Sequence, residues 1–124
     1  MKTPVTGQPI TLKVYRGVNP NQSMPTDPGD LGKGMYYTTS IATARSYGIP
    51  IQGELHLQNP KVINAIEAAE LVEKYGTVNG YHRMRGALAL TRDMKAAGYD
   101  SLVVSGWDSQ EGYVTIVVFP KETK

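Results

Sequence analysis

Hydrophobic and polar positions first alternate where Ile10, Leu12 and Val14 intersperse with Thr11, Lys13 and Tyr15, which predicts a half-buried strand. Residues 1–9, with Pro4, Gly7 and Pro9, read as an irregular lead-in. Arg16 falls on the apolar phase of the strand, where an arginine requires an anion, a polar ligand or a strand end that lets it reach water. Gly17 beside it permits close backbone approach. From Val18 to Gly34 the chain is rich in Asn, Pro, Gly and Asp and reads as a long loop, a length often used for binding loops or lids. Met35 to Thr38 carry the aromatic and β-branched residues of a short strand; Ser40 then caps a helix that Ala42 and Ala44 propagate and Gly48 ends.

Residues 49–57 predict another strand, with His56 on its solvent face, and 59–64 a turn into a short strand. Asn64 and Glu67 have capping-box spacing and open a helix that closes at Gly76. A longer supporting helix is predicted from Tyr81 to Ala97, with Met84, Leu88, Thr91 or Arg92, and Lys95 at helical spacing. Residues 100–105 form a short apolar strand and 106–112 a polar loop with Trp107, Asp108 and Glu111. In the last strand, Tyr113, Thr115, Val117 and Phe119 share one face and Val114, Ile116 and Val118 the other; two mostly apolar faces predict a central position. Strand, loop, strand–helix, strand, helices and two strands amount to an α+β fold with a mainly antiparallel sheet, organised as one domain over residues 1–124.

Composition narrows the chemistry. With no cysteine and only His56 and His82, disulfides and cysteine zinc sites are excluded and a histidine-rich metal site is not expected. No apolar run approaches the ~18 residues of a membrane span, and the N-terminus lacks a signal-peptide core, so the expectation is a cytoplasmic protein, or one delivered by a route that leaves no N-terminal mark. A net charge of +2 is spread along the chain, and the one basic cluster, Arg83, Arg85, Arg92 and Lys95, reads as a solvated helix face before it reads as a nucleic-acid contact. Glycines 29, 32 and 34 match neither GxGxxG nor GxxxxGK[ST], so a dinucleotide is not bound in Rossmann fashion.

Tyrosine supplies eight of the ten aromatics, each a stacking surface with a polar end. Tyr36 and Tyr47 bracket the strand-to-helix corner. They are either core aromatics of that corner or, with Arg16, the walls of a pocket for a flat, partly charged ligand. The segment Gly34-Met35-Tyr36-Tyr37, with Tyr47 eleven residues after Tyr36, resembles the tyrosine block of the ADP-ribosyltransferase family, in its poly(ADP-ribose) polymerase and diphtheria-toxin-like branch. Arg16-Gly17 stands where that branch has His-Gly, and arginine there is the choice of the arginine-type toxins. The segments 55–60 and 97–101 look like linking segments of small bacterial and phage members, and Tyr113–Phe119 looks like the late strand that begins with the catalytic glutamate.

The resemblance implies a split, mainly antiparallel sheet with flanking helices and NAD as substrate, without a metal. Tyr36 and Tyr47 would sandwich the nicotinamide, the Gly17 backbone would hold its carboxamide, and Arg16 would bind a ribose or phosphate oxygen, with Thr38, Ser40 and Thr115 completing the NAD contacts. Arg16, Tyr36 and an acid would form the catalytic set. The family pattern puts Thr115 where the acid belongs; Glu111 lies four residues earlier, ~13 Å in extended chain, and is either that acid or a solvated loop residue. Ala44 replaces a serine that helps hold the carboxamide, leaving Thr43 or Ser40 for that role. The implied activity is mono-ADP-ribosyl transfer to a macromolecular acceptor, protein or nucleic acid, as in a toxin or phage effector. The alternatives are NAD hydrolysis and an inactive binding or inhibitory module of the same fold.

Overall fold

A computed structural model describes residues 4–18, 27–29, 31–76, 83–106 and 113–120. The first alternating segment forms β1 (Ile10–Val18), and it pairs antiparallel along its whole length with β4 (Ile49–Leu57), from Ile10 opposite Leu57 to Val18 opposite Ile49. The expected loop over 18–34 is only partly a loop. It contains β2 (Asp27–Gly29) and the start of β3 (Gly32–Thr38), which pair antiparallel. The glycines that disguise this hairpin permit it: a Cβ on Gly34 would lie 2.4 Å from the Val118 carbonyl oxygen, so a larger residue would push β3 off its neighbour.

Between β3 and β4 lies α1 (Ile41–Arg45), a single short turn capped by Ser40. Next come β5 (Pro60–Asn64) and α2 (Ala65–Tyr75), where the capping box forms as its spacing predicts: Asn64 Oδ1 accepts from Glu67 N at 2.8 Å, and Glu67 Oε1 accepts from Asn64 N at 3.2 Å. Gly76 ends the helix at φ 64°.

α3 (Arg83–Ala96) buries Thr91, as its spacing allows, but together with Ala87 and Leu90, and leaves Leu88 46% exposed. Gly86 gives the reason. A Cβ there would lie 2.0 Å from the Tyr75 carbonyl oxygen, so α3 meets α2 backbone-close at Gly86, which turns 87, 90 and 91 inward. The Tyr75 hydroxyl donates to Asp93 Oδ2 at 2.6 Å across the same contact, raising the tyrosine pKa and lowering that of the aspartate.

The last strands are β6 (Ser101–Ser105) and β7 (Val114–Val118), and the sheet runs β4-β1-β3-β7-β6-β5 with β2 beside β3. Among the described strands only β5 and β6 pair parallel. β7 is central, as its two apolar faces predict: Val117 and Phe119 pack beneath α2 and α3 with Leu102, Val104, Ala68, Val72 and Leu90, while Ile116 packs on the other side with Val14, Leu57 and Val103.

The two outermost strands, β4 and β5, are joined by Gln58 and Asn59 alone. A flat six-stranded sheet would hold its edges ~24 Å apart, whereas the three Cα steps from Leu57 to Pro60 span at most ~11 Å. The sheet therefore folds over, bringing Val14 and Leu57 against Val103 and Ile116. Asp100 clasps the link. Its Oδ2 accepts from Gln58 N at 2.8 Å and its Oδ1 from Asn59 N at 3.2 Å, while Asp100 N donates to Asn59 O at 3.1 Å. We expect Asp100→Ala to lower stability in urea denaturation by about 2–3 kcal/mol, since two backbone N–H groups lose a charged acceptor. An unchanged midpoint would show that the link holds without its clasp.

Candidate functional site

Folding the sheet over nearly parts β1 from β3, which meet through a single register pair, Tyr15 with Thr38. Thr38 lies opposite Thr115 of β7, and Thr115 opposite Val104 of β6. Cross-strand partners share a face and alternate residues repeat it, so Tyr36, Thr38, Thr115 and Val117 lie on one face, with Tyr15 and Gly17 carrying it onto β1. Candidate residues from three separated stretches thus meet at this seam.

Hydroxyls hold the corner together. The Thr38 hydroxyl accepts from Ser40 N at 3.0 Å, the Ser40 hydroxyl accepts from Thr43 N at 3.2 Å, and the Thr39 hydroxyl accepts from Val114 N at 2.9 Å. Ser40 therefore serves as the helix cap, a use that leaves its own O–H proton free of that bond. Thr115 differs from these. It is 3% exposed, and its Oγ1 has no hydrogen-bond partner among the described residues. A buried hydroxyl without a partner is costly, and a polar ligand group that displaced the side chains covering it would satisfy it.

Gly17 permits the close backbone approach its sequence context suggests, and the approaching backbone is that of α1. A Cβ on it would lie 2.2 Å from the Ala44 carbonyl oxygen and 2.8 Å from Tyr47 Cβ. What approaches Gly17 closely is the C-terminal turn of α1, and that approach places Tyr47 directly beside β1. Ala44 is 1% exposed, so its small side chain suits this contact.

The two tyrosines are in unlike environments. Tyr36 is half-buried, packs on the core beneath the helices and accepts a hydrogen bond from Leu31 N at 3.0 Å. Tyr47 is 62% exposed. Arg16 is half-buried and follows the alternation of Val14, opposite Ile51, so it leaves β1 on the face away from Tyr15 and Gly17. Glu111 and His82 lie outside the described residues, as do Trp107 and Asp108. The described elements at the seam, β1, β3, α1 and β7, contain no carboxylate.

Tyr15, which joins the two halves of the sheet, was not visible as a site residue: its place in the alternation assigns it to the polar face and says nothing of a seam. Thr39, another residue of this corner, gave no signal beyond lying beside Thr38. Among the described residues no helix is long and apolar enough to cross a membrane. Compared with protein-family models, with curated proteins and with solved structures, the chain matches none.

Replacing the Thr115 hydroxyl by a methyl group tests whether it is unsatisfied in the ligand-free protein. Thr115→Val is expected to raise stability by about 1 kcal/mol in denaturant unfolding. A clear loss of stability would mean that the hydroxyl is already bonded.

Proposed function

We propose that this chain is an NAD-dependent mono-ADP-ribosyltransferase acting on a macromolecular acceptor, and that its folded-over sheet is of the ADP-ribosyltransferase type. The observation that carries the reading is the seam: a buried, unpartnered Thr115 hydroxyl on the same face as Tyr36, with Tyr47 packed beside Gly17. Together these groups suit a ligand that carries both sugar hydroxyls and a flat ring.

On this reading NAD supplies an activated ADP-ribosyl group, with nicotinamide as the leaving group. The exposed ring of Tyr47 stacks on the nicotinamide and the Gly17 backbone receives its carboxamide. The hydroxyls of Thr38, Ser40 and Thr115 hydrogen-bond ribose oxygens. Tyr36, fixed by the Leu31 N–H, closes the inner side. Arg16 leaves the opposite face of β1 and reaches the ligand around the strand end, which suits an outlying phosphate oxygen. Glu111 stabilises positive charge developing on the sugar and takes the proton released by the acceptor.

A second reading has its own support. Because β1, β3, α1 and β7 hold no carboxylate, the same site without help from Glu111 would be a binding or inhibitory module that holds NAD without consuming it.

Incubation with labelled NAD and cell extract separates the readings. Labelled macromolecule together with free nicotinamide is the expected result; nicotinamide without labelled product would identify a glycohydrolase. NAD binding without either would identify the binding module, and no binding at all would reject the site. In the active case Glu111→Gln should lower turnover by about 100-fold or more, and Tyr47→Ala should raise KM by up to about tenfold, the value of one stacked ring pair.

A further inference from the structure

The two edges of the sheet are treated differently. At β5, residues of the lead-in cover the edge: the Thr6 hydroxyl accepts from Val62 N at 2.9 Å and donates to Val62 O at 3.3 Å, and Gly7 N donates to Pro60 O at 2.9 Å. At β4, a nine-residue strand, the only strand partner among the described residues is β1, and Ile49 and Ile51 are 63% and 54% exposed. An uncovered edge of this length presents a row of backbone donors and acceptors to another strand.

The sequence of β4 selects that other strand. Ile-Pro-Ile-Gln-Gly-Glu-Leu-His-Leu reads symmetrically about Gly53. Turned antiparallel on itself, it sets Ile51 opposite Leu55, Ile49 opposite Leu57, Gln52 opposite Glu54 and Pro50 opposite His56. Every aliphatic residue meets an aliphatic residue on one face, and Gln52 meets Glu54, with which its amide can hydrogen-bond, on the other. Gly53, at the centre, has open space where a Cβ would stand, so nothing described crowds the axis. Pro50, which cannot donate, sits near the end of the strand, where it interrupts the ladder least. Glu54 lies 3.5 Å from His56 Nε2, and the Thr11 hydroxyl is 2.6 Å from His56 Nδ1, so the polar face is ordered within each copy.

We propose that β4 is a self-association edge, through which two copies of this chain pair antiparallel about a twofold axis at Gly53. The pairing joins two sheets into one and sets the exposed Ile51 against the half-buried Leu55 of the second copy, while Leu57 stays in its own core. Such an interface is self-complementary and closes on itself, so it yields a dimer and not a fibre. It is independent of what the seam binds.

Sedimentation velocity on the full chain, from ~1 to ~200 µM to cover a small interface, is expected to show a monomer–dimer equilibrium. Gln52→Lys, facing Glu54 of the second copy, should tighten the dimer and Gln52→Glu should loosen it, each by about 2- to 10-fold because the pair occurs twice. Ile51→Glu puts a charge into the aliphatic face and should weaken the dimer about tenfold or more. Arg16 across β1 from it favours a folded monomer, which circular dichroism checks. A chain that stays monomeric throughout, or a dimer indifferent to these three substitutions, would overturn the proposal.

Discussion

The constraint on which the rest of this structure depends is the two-residue link between the outermost strands. Gln58 and Asn59 cannot span a flat sheet of this order, so the sheet must turn over on itself. Asp100 takes both of their N–H groups and Asn59 Nδ2 donates to the Gly98 carbonyl at 2.7 Å, so the link is tied to the approach to β6. The inner face thus formed is the cluster of Val14, Leu57, Val103 and Ile116, and the outer face of the other half is left for α2 and α3. A two-residue link, clasped by one carboxylate, therefore bears on which residues become core on both sides of β7.

The same bend creates the seam. A sheet that folds over must lose pairing somewhere, and here the loss falls between β1 and β3, where one register pair remains. Thr38, Thr115 and Gly17 come together where the sheet is least continuous, because α1 packs where the pairing is interrupted. Gly17 shows how closely the corner is then packed: α1 rests on its bare Cα, and no other residue would let Tyr47 come so near β1.

Much of this was legible in the chain, wherever one residue's chemistry fixes its own surroundings. The capping box at Asn64 and Glu67, the two-sided apolar alternation of 113–119 and the solvent-facing His56 are of this kind. The β2–β3 hairpin was hidden because Gly29, Gly32 and Gly34 carry no side chains from which to read an alternation. That α3 buries Ala87 and Leu90 and not Leu88 was hidden because it depends on how closely Gly86 lets α2 approach, which no periodicity contains. At the site, the alternation of β1 did indicate that Arg16 follows Val14. That Thr38, Thr115 and Tyr15 would meet is a matter of strand order, and strand order is written in the link and not in the strands.

Thr115 also bears on where an acid can act. At 3% exposure, between Thr38 and Val104, neither of which carries a charge, a carboxylate in its place would be costly to bury, which a hydroxyl avoids. The chain emerges from the core just before this point, with Tyr113 38% exposed. On the proposed reading the acid therefore comes from outside β7, and Glu111 is the carboxylate nearest to Thr115 in sequence. On the same reading, threonine in place of an acid at 115 accords with how deeply this sheet buries its central strand. Thr115 then contributes a neutral hydroxyl to the buried strand and Glu111 the charge.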